Sequence, residues 1–74
     1  MVNVSLGLAP FEVERWDGAS VKRLRLEIGW TQEQLAHALG TTFSTVNRWE
    51  NSHAKPSRVF CRCLNELQAR ADDH

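Results

Sequence analysis

The N-terminal part of the chain alternates between apolar and polar positions. Between Val2 and Leu8 every second residue is aliphatic, and the residues between them are Asn, Ser and Gly. A period of two is typical of a half-buried β-strand, although a strand needs partners to be stable. Residues 1–9 are therefore expected either to form an ordered strand, paired with residues 11–15 or with the edge of a partner, or to pack as a loose extended arm.

From Asp17 onwards the apolar period becomes that of an α-helix. Asp17 is a favourable N-cap and Gly29 supplies the expected stop, so the pattern predicts a first helix over residues 18–28. The members of its apolar stripe are Val21, Leu24, Arg25 and Ile28. Trp16, one residue before the cap, is spaced to pack against Val21 and so to set the angle at which the chain enters the helix.

Two further helix starts follow closely. Thr31 caps the second helix and Gln34 completes a capping box, which predicts a helix over residues 32–39 that ends at a glycine. Thr42 caps a third helix, predicted over residues 43–51. Helices this short need tertiary packing to be stable, so the pattern indicates two helices joined by a tight turn inside a larger bundle.

The last helix is predicted to begin after Ser57 and to reach about Arg70, which leaves residues 72–74 as a frayed tail. Its apolar stripe consists of Phe60, Cys63, Leu64, Leu67 and Ala71. The pattern as a whole predicts an all-α fold, a compact bundle of four to five short helices with an extended N-terminal arm or strand.

Two charged residues lie on otherwise apolar stripes. Arg25 interrupts the stripe of the first helix and Glu50 that of the third. Either both side chains extend past their neighbours to solvent, as long side chains often do, or the two pair in a desolvated bidentate ion pair. Such a pair would fix the orientation of the two helices more than it would add net stability.

Length and charge limit the architecture and its partners. A chain of 74 residues forms one domain, and its nine basic and nine acidic residues cancel, so no overall field draws it to nucleic acid. The charge is nevertheless uneven: residues 41–62 carry a net +3 and residues 1–20 a net −2. Any binding to nucleic acid must come from local placement of basic side chains.

The chain lacks the residue patterns of an enzyme or a metal site. Cys61 and Cys63 are too close in sequence to cross-link the fold, the histidines have no ligand spacing, and no glycine-rich phosphate loop occurs. We therefore expect no catalytic residues, no metal and no cofactor. The lack of a long apolar run and of a signal-peptide pattern predicts a cytoplasmic protein without membrane contact.

Residues 17–57 carry a series of short motifs in order. These motifs are Leu24-Arg25, Gly29, Thr31-Gln32, Leu35-Ala36, Leu39-Gly40, Thr45-Val46, Trp49-Glu50 and Pro56. In this order and spacing they resemble the helix-turn-helix domain of the phage-repressor (Cro/C1, XRE) family of transcriptional regulators. The resemblance covers over half of the chain and implies a lambda-repressor-like bundle, a buried pair between Arg25 and Glu50, and a third helix that enters the DNA major groove.

The resemblance and the local charge together imply two sets of DNA contacts. The residues expected to read base edges are Phe43, Ser44, Asn47 and Arg48. The residues expected to contact phosphates are Gln32, Thr42, Thr45, Asn51, Lys55 and Arg58. Arginine can bridge guanine O6 and N7, and asparagine can bridge adenine N6 and N7, so these residue types suit the task.

Two positions depart from the family pattern. Phe43 stands where the family more often has a polar residue, and it shares a helical stripe with Val46, so inward packing is the alternative to a base contact. Ser52 stands where the family usually has glycine, at a residue expected to adopt a left-handed backbone conformation. A serine there is expected to cost about 1 kcal/mol.

The chain is expected to divide into an N-terminal arm over residues 1–16, a DNA-binding domain over 17–71 and the tail over 72–74. The arm, or the exposed flank of the last helix, is a candidate homodimer contact that would place two third helices on successive DNA half-sites. The resemblance thus implies a small repressor-like transcriptional regulator that binds a specific sequence of double-stranded DNA. The alternative function is that of a protein-interaction module, such as an antitoxin or an accessory subunit, which binds a protein partner and binds DNA weakly. The neutral overall charge favours that alternative.

Overall fold

Four α-helices make up the regular structure of residues 16–72, which are the residues that this computed structural model describes. They are α1 (Gly18–Ile28), α2 (Gln32–Leu39), α3 (Phe43–Glu50) and α4 (Arg58–Asp72). This is the predicted all-α bundle, and α1 and α2 have the predicted bounds. The expectations for residues 1–15, including the strand or arm, lie outside the described residues.

Local side-chain contacts determine where the first three helices begin. Asp17 and Ser20 form a reciprocal capping box at the start of α1, and Thr31 and Gln34 form the predicted one at the start of α2. At α3, Thr42 accepts a hydrogen bond from the backbone N–H of Thr45. These caps satisfy amides that have no partner inside the helix, which is why short local patterns predicted the starts correctly.

The same three helices also end in the same way. In each, a residue that follows the last turn has a positive φ. The backbone N–H groups of this residue and of the next one donate to carbonyls of the final turn, as in a Schellman motif. Gly29 and Gly40 take this position after α1 and α2, with φ of 89° and 74°. After α3 the position is taken by Ser52, with φ of 64°, so the expected left-handed serine is confirmed.

The interior is an apolar cluster to which every helix contributes. Its fully buried side chains are Leu24, Leu35, Leu64, Val21 and Val46. Two tryptophans extend it: Trp49 stacks at a tilt on Phe60, with ring centroids 5.3 Å apart, and the buried Trp16 donates from Nε1 to Asn65 Oδ1 over 2.7 Å. Trp16 thus packs with the helices rather than with the predicted N-terminal arm.

Gly18 lies at a close approach of α1 to α3. A Cβ atom at this buried position would overlap the carbonyl oxygen of Trp49 and lie 3.0 Å from that of Glu50. The first residue of α1 therefore rests on the last carbonyls of α3. Opposite ends of two helix dipoles meet there, an arrangement that favours the contact electrostatically.

Two predicted helix ends need correction. The third helix stops at Glu50 rather than at residue 51, because Asn51 forms the C-cap with φ −93° and ψ 9° and Ser52 after it has a positive φ. The last helix continues to Asp72, the first residue of the predicted tail. Its added length is supported by the packing of Ala71 on the core and by a hydrogen bond from Gln68 to the Asp72 carboxylate.

Candidate nucleic-acid interface

Helices α2 and α3, joined by a short turn, present one face of α3 to solvent. Val46 and Trp49 on the opposite face are buried in the core. Ser44 and Arg48, two of the predicted base-reading residues, are exposed, while Asn47 beside them is half-buried. The fold thus exposes polar side chains on the outer face of α3, while the inner face of the helix is packed in the core.

Phe43 is also exposed, at the first position of α3. Its exposed fraction is 48%, so the alternative in which its ring packs inward is not what the structure contains. A large apolar side chain is costly to leave in water without a contact surface. Phe43 thus adds an exposed apolar ring to the surface of α3.

Arg25 and Glu50 form the expected ion pair. Arg25 Nε lies 2.7 Å from Glu50 Oε2, and Nη2 lies 3.0 Å from Oε1, which is a bidentate geometry. The remaining guanidinium nitrogen, Nη1, donates to the carbonyl of Trp30 over 2.9 Å. The exposed fractions of the two side chains are only 12% and 4%. This pair ties α1 and the loop before α2 to the end of α3.

Mutual hydrogen bonding keeps both members of the pair charged. Burial raises the pKa of the Glu50 carboxyl, but hydrogen bonds from Arg25 and Gln32 outweigh it, so the pKa lies below its ordinary value. The hydrogen bond to Glu50 likewise raises the pKa of the Arg25 guanidinium. The pair is ionised at neutral pH, and Glu50 is a hydrogen-bond acceptor only.

A chain of amides runs from this ion pair to the surface. Gln32 Nε2 donates to Glu50 Oε1 over 3.0 Å, and Asn47 Nδ2 donates to Gln32 Oε1 over 3.2 Å. Asn51 Nδ2 then donates to Asn47 Oδ1 over 3.0 Å and to the Asn47 backbone carbonyl at the same distance. Gln32, Asn47 and Asn51, which were predicted as separate DNA contacts, are joined in one network.

The remaining predicted phosphate contacts surround α3. Thr42 and Thr45 share a hydrogen bond between their hydroxyl oxygens at 3.0 Å, at the start of α3. Lys55 and Arg58 are exposed and follow α3 in the chain, in the loop and in the first turn of α4. First-turn backbone N–H groups and basic side chains are the groups that bind phosphate, so the composition of this region suits a nucleic-acid backbone.

Sequence reasoning missed the amide chain and the contact at Gly18. The hydrogen bond from Gln32 to Asn47 joins residues on different helices, and no periodic pattern indicates it. The capping pattern accounts for the boundary at Gly18 but not for its proximity to α3.

No cluster of His, Cys, Asp and Glu side chains that could hold a metal ion occurs among residues 16–72. Within the same residues, no helix has the length and apolar character needed to cross a membrane.

Comparison with known families agrees with this geometry. A family model described as helix-turn-helix matches residues 21–59, over half of the chain, from within α1 to the first turn of α4. No significant match was found among curated proteins or among solved structures. The matched residues include the Arg25–Glu50 pair, both helices of the motif and the turn between them. The chain therefore belongs to the Cro/C1-type helix-turn-helix family of XRE regulators, which are DNA-binding proteins.

Proposed function

We propose that this protein recognises a specific sequence of double-stranded DNA, as a small repressor-like transcriptional regulator, by placing α3 in the major groove. The observation that carries the proposal is the anchoring of α3. Its inner face is buried in the core, its last residue is held by Arg25, and its outer face carries exposed polar side chains. A rigid helix with a polar outer face is the element that major-groove recognition uses.

The outward side chains have the chemistry to distinguish base pairs. Arg48 can donate two hydrogen bonds to guanine O6 and N7, and Asn47 can bridge adenine N6 and N7. Ser44 can bond to several bases, and Phe43 can contact a thymine methyl group. These four residues are the proposed base contacts.

Positive charge near α3 supports the proposal although the chain is neutral overall. Lys55 and Arg58 would neutralise phosphates beside the helix, and Thr42, Thr45, Gln32 and Asn51 would supply hydrogen bonds. Such contacts release condensed counterions, so affinity should decrease as salt increases. A neutral protein with a local basic surface would bind in one orientation.

The first experiment is a selection of bound sequences from random duplex DNA, followed by affinity measurements at two salt concentrations. The parent is compared with Arg48→Ala and with Arg23→Ala, which removes an exposed arginine from α1. Loss of a guanine contact should cost Arg48→Ala about 1 to 3 kcal/mol and relax one position of the motif. The control variant should keep both affinity and motif.

The selected motif also tests two further parts of the proposal. Two inverted half-sites about 10 base pairs apart, centre to centre, would show that a homodimer binds, with one α3 in each half-site. If the folded protein enriches no motif, or if both arginine variants behave alike, sequence reading by α3 is wrong. The search would then move to a protein partner, as expected of an antitoxin or accessory subunit.

A further inference from the structure

The amide chain beside α3 has a direction that the buried carboxylate imposes. Glu50 can only accept hydrogen bonds, so Gln32 must turn its Nε2 group towards it. The Oε1 atom of Gln32 then faces Asn47, which must donate a hydrogen bond to it from Nδ2. The Oδ1 atom of Asn47 is left on the side of Asn51, which donates to it. Each amide orientation follows from the one before it.

Among residues 16–72, the chain of amides leaves the Asn47 side chain with one hydrogen-bond donor and one acceptor unused. Its Nδ2 has two hydrogens, of which Gln32 takes one, and its Oδ1 can accept two hydrogen bonds, of which Asn51 supplies one. One donor and one acceptor remain. That is the complement of adenine, which presents N7 as an acceptor and the N6 amino group as a donor in the major groove.

We infer that Gln32 and Asn51 are positioning residues, which hold the Asn47 amide in one orientation and thereby make it select adenine. The inference rests on the proposed placement of α3 in the major groove. It gives Gln32 and Asn51 a role in specificity, whereas a phosphate contact would contribute to affinity alone. An amide free to rotate would present its donor and acceptor in either order and would discriminate less.

Asn51 is the better residue to test, because it is exposed and lies outside α3. Asn51→Ala removes the hydrogen bond to Asn47 Oδ1, and Asn51→Leu keeps about the same side-chain size but has no N–H donor and adds no charge. Lys55→Ala is the matched control, since it removes a proposed phosphate contact that has no link to the amide chain. Thermal melting of each variant verifies that it is folded.

The measured quantity is a ratio of affinities at one base pair of the selected site. Asn47→Ala first identifies that position, as the one where preference for adenine disappears. There the parent should prefer adenine to other bases by roughly 5- to 150-fold. Both Asn51 variants should reduce this ratio by about threefold or more. The preference at the Arg48 position should stay unchanged, because none of the hydrogen bonds of the amide chain involves the Arg48 side chain. Lys55→Ala should weaken binding to all sequences by the same factor.

Equal losses on every sequence in the Asn51 variants would overturn the inference and leave Asn51 as a phosphate contact. If Asn47→Ala changes no base preference while Arg48→Ala does, the inference is wrong but the proposed function stands. If no motif is enriched at all, the proposed function fails first. These outcomes are distinct in a single set of binding measurements.

Discussion

At the scale of single residues, Ser52 is the position at which sequence and backbone geometry agree least. It takes the left-handed conformation that Gly29 and Gly40 take after α1 and α2. Only glycine adopts this conformation without a clash between Cβ and the backbone. Two backbone hydrogen bonds, from Ser52 to Trp49 and from His53 to Arg48, keep the serine there.

We predict that Ser52→Gly stabilises the protein. The left-handed conformation costs a residue with a Cβ about 1 kcal/mol, and relief of that cost should raise the melting temperature by about 4 to 8 °C. The same change at Ser44, an exposed residue in the first turn of α3, should lower it because glycine has a lower helix propensity than serine. An unchanged melting temperature in Ser52→Gly would contradict the prediction.

Gly18→Ala should have the opposite effect to most Gly→Ala changes in helices. Alanine normally favours a helix by about 1 kcal/mol, but here its Cβ would meet the backbone carbonyls of Trp49 and Glu50, which have no rotamer to change. We expect a net loss of about 1 to 3 kcal/mol in the free energy of unfolding, measured by urea denaturation. A gain in stability would mean that α1 moves away from α3 at little cost.

At the scale of elements, the helix boundaries could be predicted but their contacts only in part. Caps such as Asp17 and Thr31 act within one turn, so a few neighbouring residues contain the information. The two charges on apolar stripes left pairing between Arg25 and Glu50 as one of two alternatives, and the family resemblance selected it. The hydrogen bond between Gln32 and Asn47 could not be predicted, because it depends on the angle at which α2 and α3 cross. The polarity of the two side chains does not indicate that they meet, since both would also be expected at a solvated surface.

The ion pair between α1 and α3 should behave as a coupled unit. Arg25→Met or Glu50→Met alone leaves the other charge buried without its partner, at a cost of about 3 kcal/mol in the free energy of unfolding. In the double variant no charge is left unpaired, so its cost should be well below the sum of the two single costs. Urea denaturation of all four proteins measures this coupling, and additive costs would contradict it.

The same pair makes stability depend on pH on the acidic side. The pKa of Glu50 in the folded protein lies below its ordinary value of 4.5. The stabilisation by its charged form is therefore fully present above about pH 4.5 and decreases as the pH falls through the folded-state pKa. The difference in unfolding free energy between the parent and Glu50→Gln should thus shrink between neutral pH and pH 3. A constant difference would show that the pair does not titrate with folding.

At the scale of the whole molecule, the basic and acidic residues balance in number but are distributed unevenly along the chain. The chain has no net charge, yet four basic residues lie between positions 41 and 62 with Glu50 as the only acid, and Glu50 is buried against Arg25. The segment that contains α3 and the first turn of α4 is consequently basic, while the sequence before Gly18 is acidic. Electrostatic attraction to DNA would come from this basic segment.

We predict that Lys55→Ala changes the salt dependence of DNA binding. Removal of one phosphate contact should reduce the slope of log affinity against log salt concentration by about 1 and weaken binding to every sequence equally. Arg23→Ala removes the same charge from the exposed side of α1 and should leave the slope unchanged. Equal slopes in the parent and in Lys55→Ala would remove Lys55 from the interface.

The contact between Trp49 and Phe60 gives the protein an internal optical reporter. Trp49 follows Arg48 in α3, and its buried indole lies against a ring of α4. Indole emission responds to the polarity of its surroundings, so a shift of α3 against α4 would change the colour and intensity of the Trp49 fluorescence. With Trp16 and Trp30 replaced by phenylalanine, the seating of α3 could be followed during a titration, without any attached dye.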